Sequence, residues 1–172
     1  MKHYAVLLAV ALAVAPSVQA AGSSTGSGIN PNQVFLGGGF SSNSVSNSND
    51  GTGFQIFGGY HFGKMANNIK LDLEAGYMDT GNMDVTVSAP FFGSVTTSAR
   101  AKGLWATPVA RIELNPQFEL IGRAGFDFGD DDGLMAGVGL GYNINKQSQF
   151  RVEYVERDTV NSLQLNAVVN LK

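Results

Sequence analysis

The sequence predicts an all-β chain: an eight-stranded antiparallel up-and-down transmembrane β-barrel. Three observations carry this reading. From Gln33 onward, apolar and polar residues alternate with a period of two in eight separate runs, and no helical period lasts beyond a turn or two. The connectors between runs differ in length, short ones alternating with long ones. The aromatic residues of the apolar face fall at two levels, near opposite ends of the strands.

The runs cover 33–41, 53–63, 68–78, 101–114, 117–129, 133–144, 148–154 and 163–171. The second places Phe54, Ile56, Gly58, Tyr60 and Phe62 on one face and Gln55, Phe57, Gly59 and His61 on the other. The third sets Ile69, Leu71, Leu73, Ala75 and Tyr77 against Lys70, Asp72, Glu74, Gly76 and Met78. The fifth sets Phe118, Leu120, Gly122, Ala124, Phe126 and Phe128 against Glu119, Ile121, Arg123, Gly125 and Asp127. The seventh repeats the pattern, with Phe150, Val152 and Tyr154 against Arg151 and Glu153.

Alternation alone leaves open which face is inside, and a soluble lipid-binding barrel would turn its apolar face inward. Connector length decides for a membrane barrel: 64–67, 115–116 and 145–147 are short while 42–52 and 79–100 are long, the asymmetry of turns on one side and loops on the other. The aromatic levels agree. Phe40, Phe54, Tyr77, Phe126, Phe128 and Tyr154 lie near the outer ends of their strands; Tyr60, Phe62, Phe118, Tyr142 and Phe150 lie near the inner ends. Two such girdles around an aliphatic band match the two interfaces of a bilayer, where amphipathic rings are favoured.

By the same parity the interior receives Lys70, Arg111, Arg123 and Arg151 together with Asp72, Glu74, Glu113, Glu119, Asp127 and Glu153. A buried charge without a partner costs several kcal/mol, so mixed signs suit a plugged lumen. Glycines at 59, 76, 125, 137, 139 and 141 on this face are expected to leave room for long charged side chains. A gate whose ion pairs exchange to pass small solutes is the alternative, although eight strands enclose a space that side chains can fill.

The start of the chain reads as a secretory signal: Lys2, an apolar stretch over 4–16, and Val18-Gln19-Ala20 as a small-x-small cleavage site. Segment boundaries follow as 1–20 signal, 21–32 a periplasmic leader, and 33–172 the barrel. Removing twenty of 172 residues leaves 152, with ten basic residues against fourteen acidic ones. A net charge of about −4 disfavours a nucleic-acid partner. Cysteine is absent, which excludes disulfides, thiolate metal sites and a cysteine nucleophile.

The hairpin Gly137-Val-Gly-Leu-Gly-Tyr-Asn-Ile-Asn-Lys-Gln-Ser-Gln-Phe-Arg-Val-Glu-Tyr154 resembles the penultimate hairpin of small outer-membrane β-barrels of the OmpA-transmembrane-domain and OmpX/Ail kind. The last run is similar to the signal by which such barrels are recognised for assembly, reading Gln164, Asn166, Val169 and Leu171, with Asn where the family favours Gly and Leu171-Lys172 where it favours a final aromatic. The resemblance implies an integral protein of a Gram-negative outer membrane, with outer-membrane lipid, lipopolysaccharide and the barrel-assembly machinery as partners.

No enzyme, cofactor or metal centre is expected. His61, the one histidine after removal of the signal, is followed by Phe62-Gly63 and lacks the His-x-Ser of a lipid A deacylase. Asp130-Asp131-Asp132-Gly133 reads as a tight turn, with a divalent-cation bridge as the alternative. Gly37-Gly38-Gly39 precedes no helix and so makes no phosphate cradle. In the second long loop, 83–87 and 94–98 read as strands continuing the barrel hairpin, with Phe91 and Phe92 at the tip. These rings either contact a host or surface ligand or fold back on the hairpin. The first loop, rich in Ser, Asn and Gly, is expected to be mobile.

Overall fold

Alternating side chains need two different environments, and the computed structural model supplies them as the two faces of a closed wall. It describes residues 30–45, 50–66, 68–89 and 93–171. After a short 3-10 turn at Pro31–Gln33 come β1 (Val34–Ser44), β2 (Gly51–Ala66), β3 (Ile69–Asp79), β4 (Met83–Ala89), β5 (Gly93–Ala99), β6 (Lys102–Glu113), β7 (Phe118–Gly129), β8 (Gly133–Asn143), β9 (Ser148–Glu156) and β10 (Asn161–Asn170). Eight of them close in the order β1-β10-β9-β8-β7-β6-β3-β2, every neighbouring pair antiparallel. The eight-stranded barrel read from the alternation is therefore the observed fold.

Closure comes from β1 and β10, which pair from Phe35↔Asn170 to Ser44↔Asn161. This leaves no free edge, the condition for a sheet in hydrocarbon, where unpaired backbone groups find no water. The short connectors β2–β3, β6–β7 and β8–β9 lie at one end, here the turn end; the others lie at the loop end. Two turns use the same chemistry. Asn115 Oδ1 accepts the amides of Gln117 (2.9 Å) and Phe118 (2.8 Å), and Asn145 Oδ1 accepts those of Gln147 and Ser148 (both 2.8 Å).

Three local features depart from the sequence expectation. The first loop is shorter: Ser42↔Thr52 and Asn43↔Gly51 are ladder pairs. Ser and Asn hold the strand there because Asn43 is buried and its amide donates to Ser41 Oγ and the Thr80 carbonyl. The β4–β5 hairpin is a separate two-stranded sheet and does not continue β3 and β6. Gly81, at φ +70°, breaks the ladder, and Asp79 Oδ1 accepts its amide at 3.0 Å. Finally, the β2–β3 register shifts between His61 and Gly63, with Gly63 at φ +90°. This bulge sets Lys64 opposite Lys70, on the face that lines the lumen.

Between its two ends the outer wall is apolar, with Leu134 71% and Ile56 60% exposed. The packed core is the lumen. It contains an apolar cluster of Phe35, Phe57, Met78, Trp105, Met135, Val155 and Val168 beside the charged side chains.

Candidate functional site: the filled lumen

Strand parity turns one residue in two inward, so the interior is assembled from many strands at once. At the turn end, Lys70 Nζ lies 2.7 Å from Glu113 and 2.9 Å from Glu119. One layer further in, Arg111 holds Asp72 through Nε (2.6 Å) and Glu119 through Nη1 (2.9 Å). At mid-height Arg151 Nη1 reaches Glu74 at 2.5 Å, and Arg123 Nη2 stands between Glu74 (3.1 Å) and Glu153 (2.5 Å). Towards the loop end, Asp127 pairs with Arg157 at 2.6 Å. All ten charged residues read into the lumen from the sequence thus turn inward and find partners of opposite sign.

Full pairing matters because a single unpaired ion in such a place costs several kcal/mol. Pairing of the ions does not satisfy every atom: Arg123 Nε, Asp127 Oδ1, Arg157 Nη2 and Trp105 Nε1 are buried without hydrogen-bond partners, each a cost of about 1–3 kcal/mol. His61 completes the turn-end layer, with Nδ1 2.7 Å from Asp72, Nε2 2.9 Å from Asn170, and its ring stacked on Phe35 at 4.4 Å.

Trp105 and Arg157 had no place in the sequence reading. Trp105 is 1% exposed, packs on Phe57 at 5.7 Å between centroids and lies under the Arg123 guanidinium at 5.5 Å. Above it Gln55 Nε2 donates to both Gln164 and Asn166 at 2.8 Å, closing a polar layer between β2 and β10. Arg157 was also missed, because it follows the seventh run.

The expected role of the glycines needs correction. Gly137 and Gly139 do face Arg123 and Glu153, but a Cβ at Gly59 would meet the Phe35 ring at 2.2 Å, and one at Gly76 the Phe57 Cβ at 2.6 Å. Aromatic rings need the room as much as charges do.

The match to known proteins decides the family. The model of the outer membrane protein beta-barrel domain matches residues 5–170. The chain belongs to that family. No curated protein matches the chain by sequence. Among solved structures it is similar to the Yersinia pestis outer membrane protein Ail in a phospholipid nanodisc, at 15% identity and TM-score 0.53, over 80% of this chain and 98% of that one. It is also similar to a de novo designed transmembrane β-barrel, at 15% identity and TM-score 0.52, over 81% and 96%. At these identities the likeness is one of fold.

In this outer-membrane barrel apolar and hydrogen-bonded side chains gather at the loop end. Met83, Ala101 and Val160 form a second apolar cluster, with Val45 and Ala99 packed on it. Beneath it, Ser162 Oγ donates to Asn43 Oδ1 at 2.6 Å. Asp131, from the acidic turn, ties the β7–β8 turn to the β9–β10 turn by accepting from the Thr159 hydroxyl and amide and the Val160 amide. Its oxygens are used in these bonds, and among the described residues no His, Cys, Asp and Glu cluster could hold a metal ion. Outside the lumen, Asp79 and Arg100 pair at the base of the β4–β5 hairpin, and the carboxylate keeps the guanidinium above its usual pKa.

The aromatic residues at both strand ends face outward, with Phe54 and Tyr77 in contact at one level and Tyr60–Phe62 and Phe118–Tyr142 at the other. The residues of the assembly pattern divide between faces: Gln164 and Asn166 are buried in the lumen, Val169 faces outward, and the Leu171 amide donates to Val34 O. Phe91 and Phe92 lie outside the described residues.

Proposed function

We propose that the chain is a non-enzymatic outer-membrane barrel that closes its own lumen, supports the envelope, and offers its loop end, above all the β4–β5 hairpin, to a surface partner. The observation that carries this reading is a stack of three opposite-charge groups along the lumen, Lys70–Glu119–Arg111–Asp72, Arg151–Glu74–Arg123–Glu153 and Asp127–Arg157, topped by the Met83 cluster. A lumen crossed at mid-height by such a layer gives no through-path, which leaves anchoring and display to the wall and the loop end. Export by cleavage after Ala20, aromatic girdles seated in outer-membrane lipid beside lipopolysaccharide, delivery to the assembly machinery through Gln164, Val169 and Leu171, and a host or surface contact at Phe91 and Phe92 belong to the same proposal.

Conductance across a planar bilayer tests it. The wild-type barrel is expected to show no stable openings, and steady unitary currents would overturn the closed-lumen reading. A second reading, a gated channel for small solutes, is favoured by one contact pattern: Arg123 Nη2 touches Glu74 and Glu153 at once, a geometry from which pairing could exchange. Openings that change on Arg123→Ala would establish it. The soluble lipid-binding alternative has the outward apolar wall against it, and loss of the protein from the outer-membrane fraction in a high-salt wash would revive it.

A further inference from the structure

The barrel carries an apolar cap of described residues at the loop end and is hollow at the turn end. At the turn end the strands enclose a vestibule of about 730 Å³, open to solvent, within the roughly 300–1,000 Å³ typical of small-molecule sites. Among the described residues five cations line it, Lys64, Lys70, Lys146, Arg111 and Arg151, and only Glu113 and Glu119 answer them on the lining. Asp72 and Glu74, beneath the floor, hold the two arginines in place, and Lys70 is shared between the two glutamates.

The surplus therefore sits at the rim. Lys64 is 61% exposed and reaches Glu113 only at 3.5 Å, and Lys146 forms no ion pair among the described residues. The β2 bulge after His61 delivers Lys64 to this position, and the β8–β9 turn delivers Lys146. In the strand order those two hairpins lie on opposite sides of the mouth. Gln149, Asn143 and Asn170 add amide groups between them.

Charge at the other end has the opposite sign. Asp50, Asp84, Asp130, Asp132, Glu156 and Asp158 are exposed there, against Arg100 and Lys102. An anion is thus repelled from the loop end and drawn to the turn end, although the chain as a whole is acidic.

We propose that the turn-end vestibule is a binding site for a soluble multivalent anion, a solute bearing carboxylate or phosphate groups held between Lys64 and Lys146. The ligand enters and leaves by the same mouth, because the Glu74, Arg123 and Glu153 layer blocks the way through. This site is independent of the loop-end role proposed above.

Calorimetric titration of the full chain in phosphatidylcholine nanodiscs tests the proposal, with citrate and pyrophosphate as probes and glycerol as the neutral control. One saturable site per chain is expected, with a dissociation constant of about 1 mM, weakening as salt is raised. The rim variant Lys64→Gln/Lys146→Gln is expected to bind at least tenfold more weakly, while Lys102→Gln at the loop end binds as wild type does. Both variants are checked for folding by the gel mobility shift on heating. Citrate binding without pyrophosphate binding, or the reverse, identifies which acidic group is recognised. Absence of saturable heat with either probe, binding unchanged in the rim variant, or binding that appears only when phosphatidylglycerol is added to the nanodisc would each overturn the proposal, the last by making the rim a lipid-headgroup contact.

Discussion

Arg157 Nε donates to Asp127 Oδ2 at 2.6 Å, and both side chains are 1% exposed. The pair bolts the β9–β10 turn to the end of β7. Replacing Arg157 with Met strands a buried carboxylate, and breaking a pair of this kind costs about 3–5 kcal/mol. The urea midpoint of the barrel in lipid vesicles is expected to fall accordingly. The double variant Asp127→Asn/Arg157→Met is expected to recover much of the loss, because no charge is left unpaired.

Trp105 is the only tryptophan in the chain and lies inside the barrel. Its emission is expected to be insensitive to brominated lipids in the folded protein, whereas lipid-facing tyrosines such as Tyr154 are within reach of the quencher. Strong quenching would mean that the parity of β6 is wrong.

Because Trp105 Nε1 has no acceptor, Trp105→Phe keeps most of the packing and removes an unsatisfied donor. Trp105→Ala loses the ring contacts with Phe57 and Arg123 and is expected to cost about 3–5 kcal/mol. Chemical unfolding of the two variants separates these effects, and equal losses would contradict the packing role.

Glycines on the two faces differ in what surrounds them. A Cβ at Gly76 would come within 2.5 Å of the Ile56 carbonyl, whereas a Cβ at Gly122 would meet nothing within 4 Å. Gly76→Ala is expected to destabilise by about 1–3 kcal/mol, as overpacking does, and Gly122→Ala to be tolerated. Comparing their folding yields in vesicles checks the contrast.

The barrel was legible because alternation is a local property: each strand in a wall with lipid on one side and a filled lumen on the other must repeat with period two. The same parity located Lys70, Arg123 and Glu153. It failed where the contrast between faces vanishes. β6 carries Leu104, Ala106 and Pro108 on one face and Trp105, Thr107 and Val109 on the other, so Trp105 gave no signal, although counting back from Arg111 by twos would have found it. The bulge at His61–Gly63 resets the parity of Lys64, and a bulge leaves little mark in composition. Partners across the lumen, such as Arg151 with Glu74, belong to strands that are not neighbours in the wall, so pairing by sequence proximity could not name them.

The contact between β1 and β10 has a bearing on how the molecule comes into being. The first strand to emerge during synthesis has no permanent neighbour on one side until the last strand arrives. The outer edge of β1 must therefore stay unpaired until the last strand is in place and the ring can shut. Truncating even a few residues before Asn170 would thus remove a shared wall, and its effect would be felt at Phe35 as much as at the truncated end.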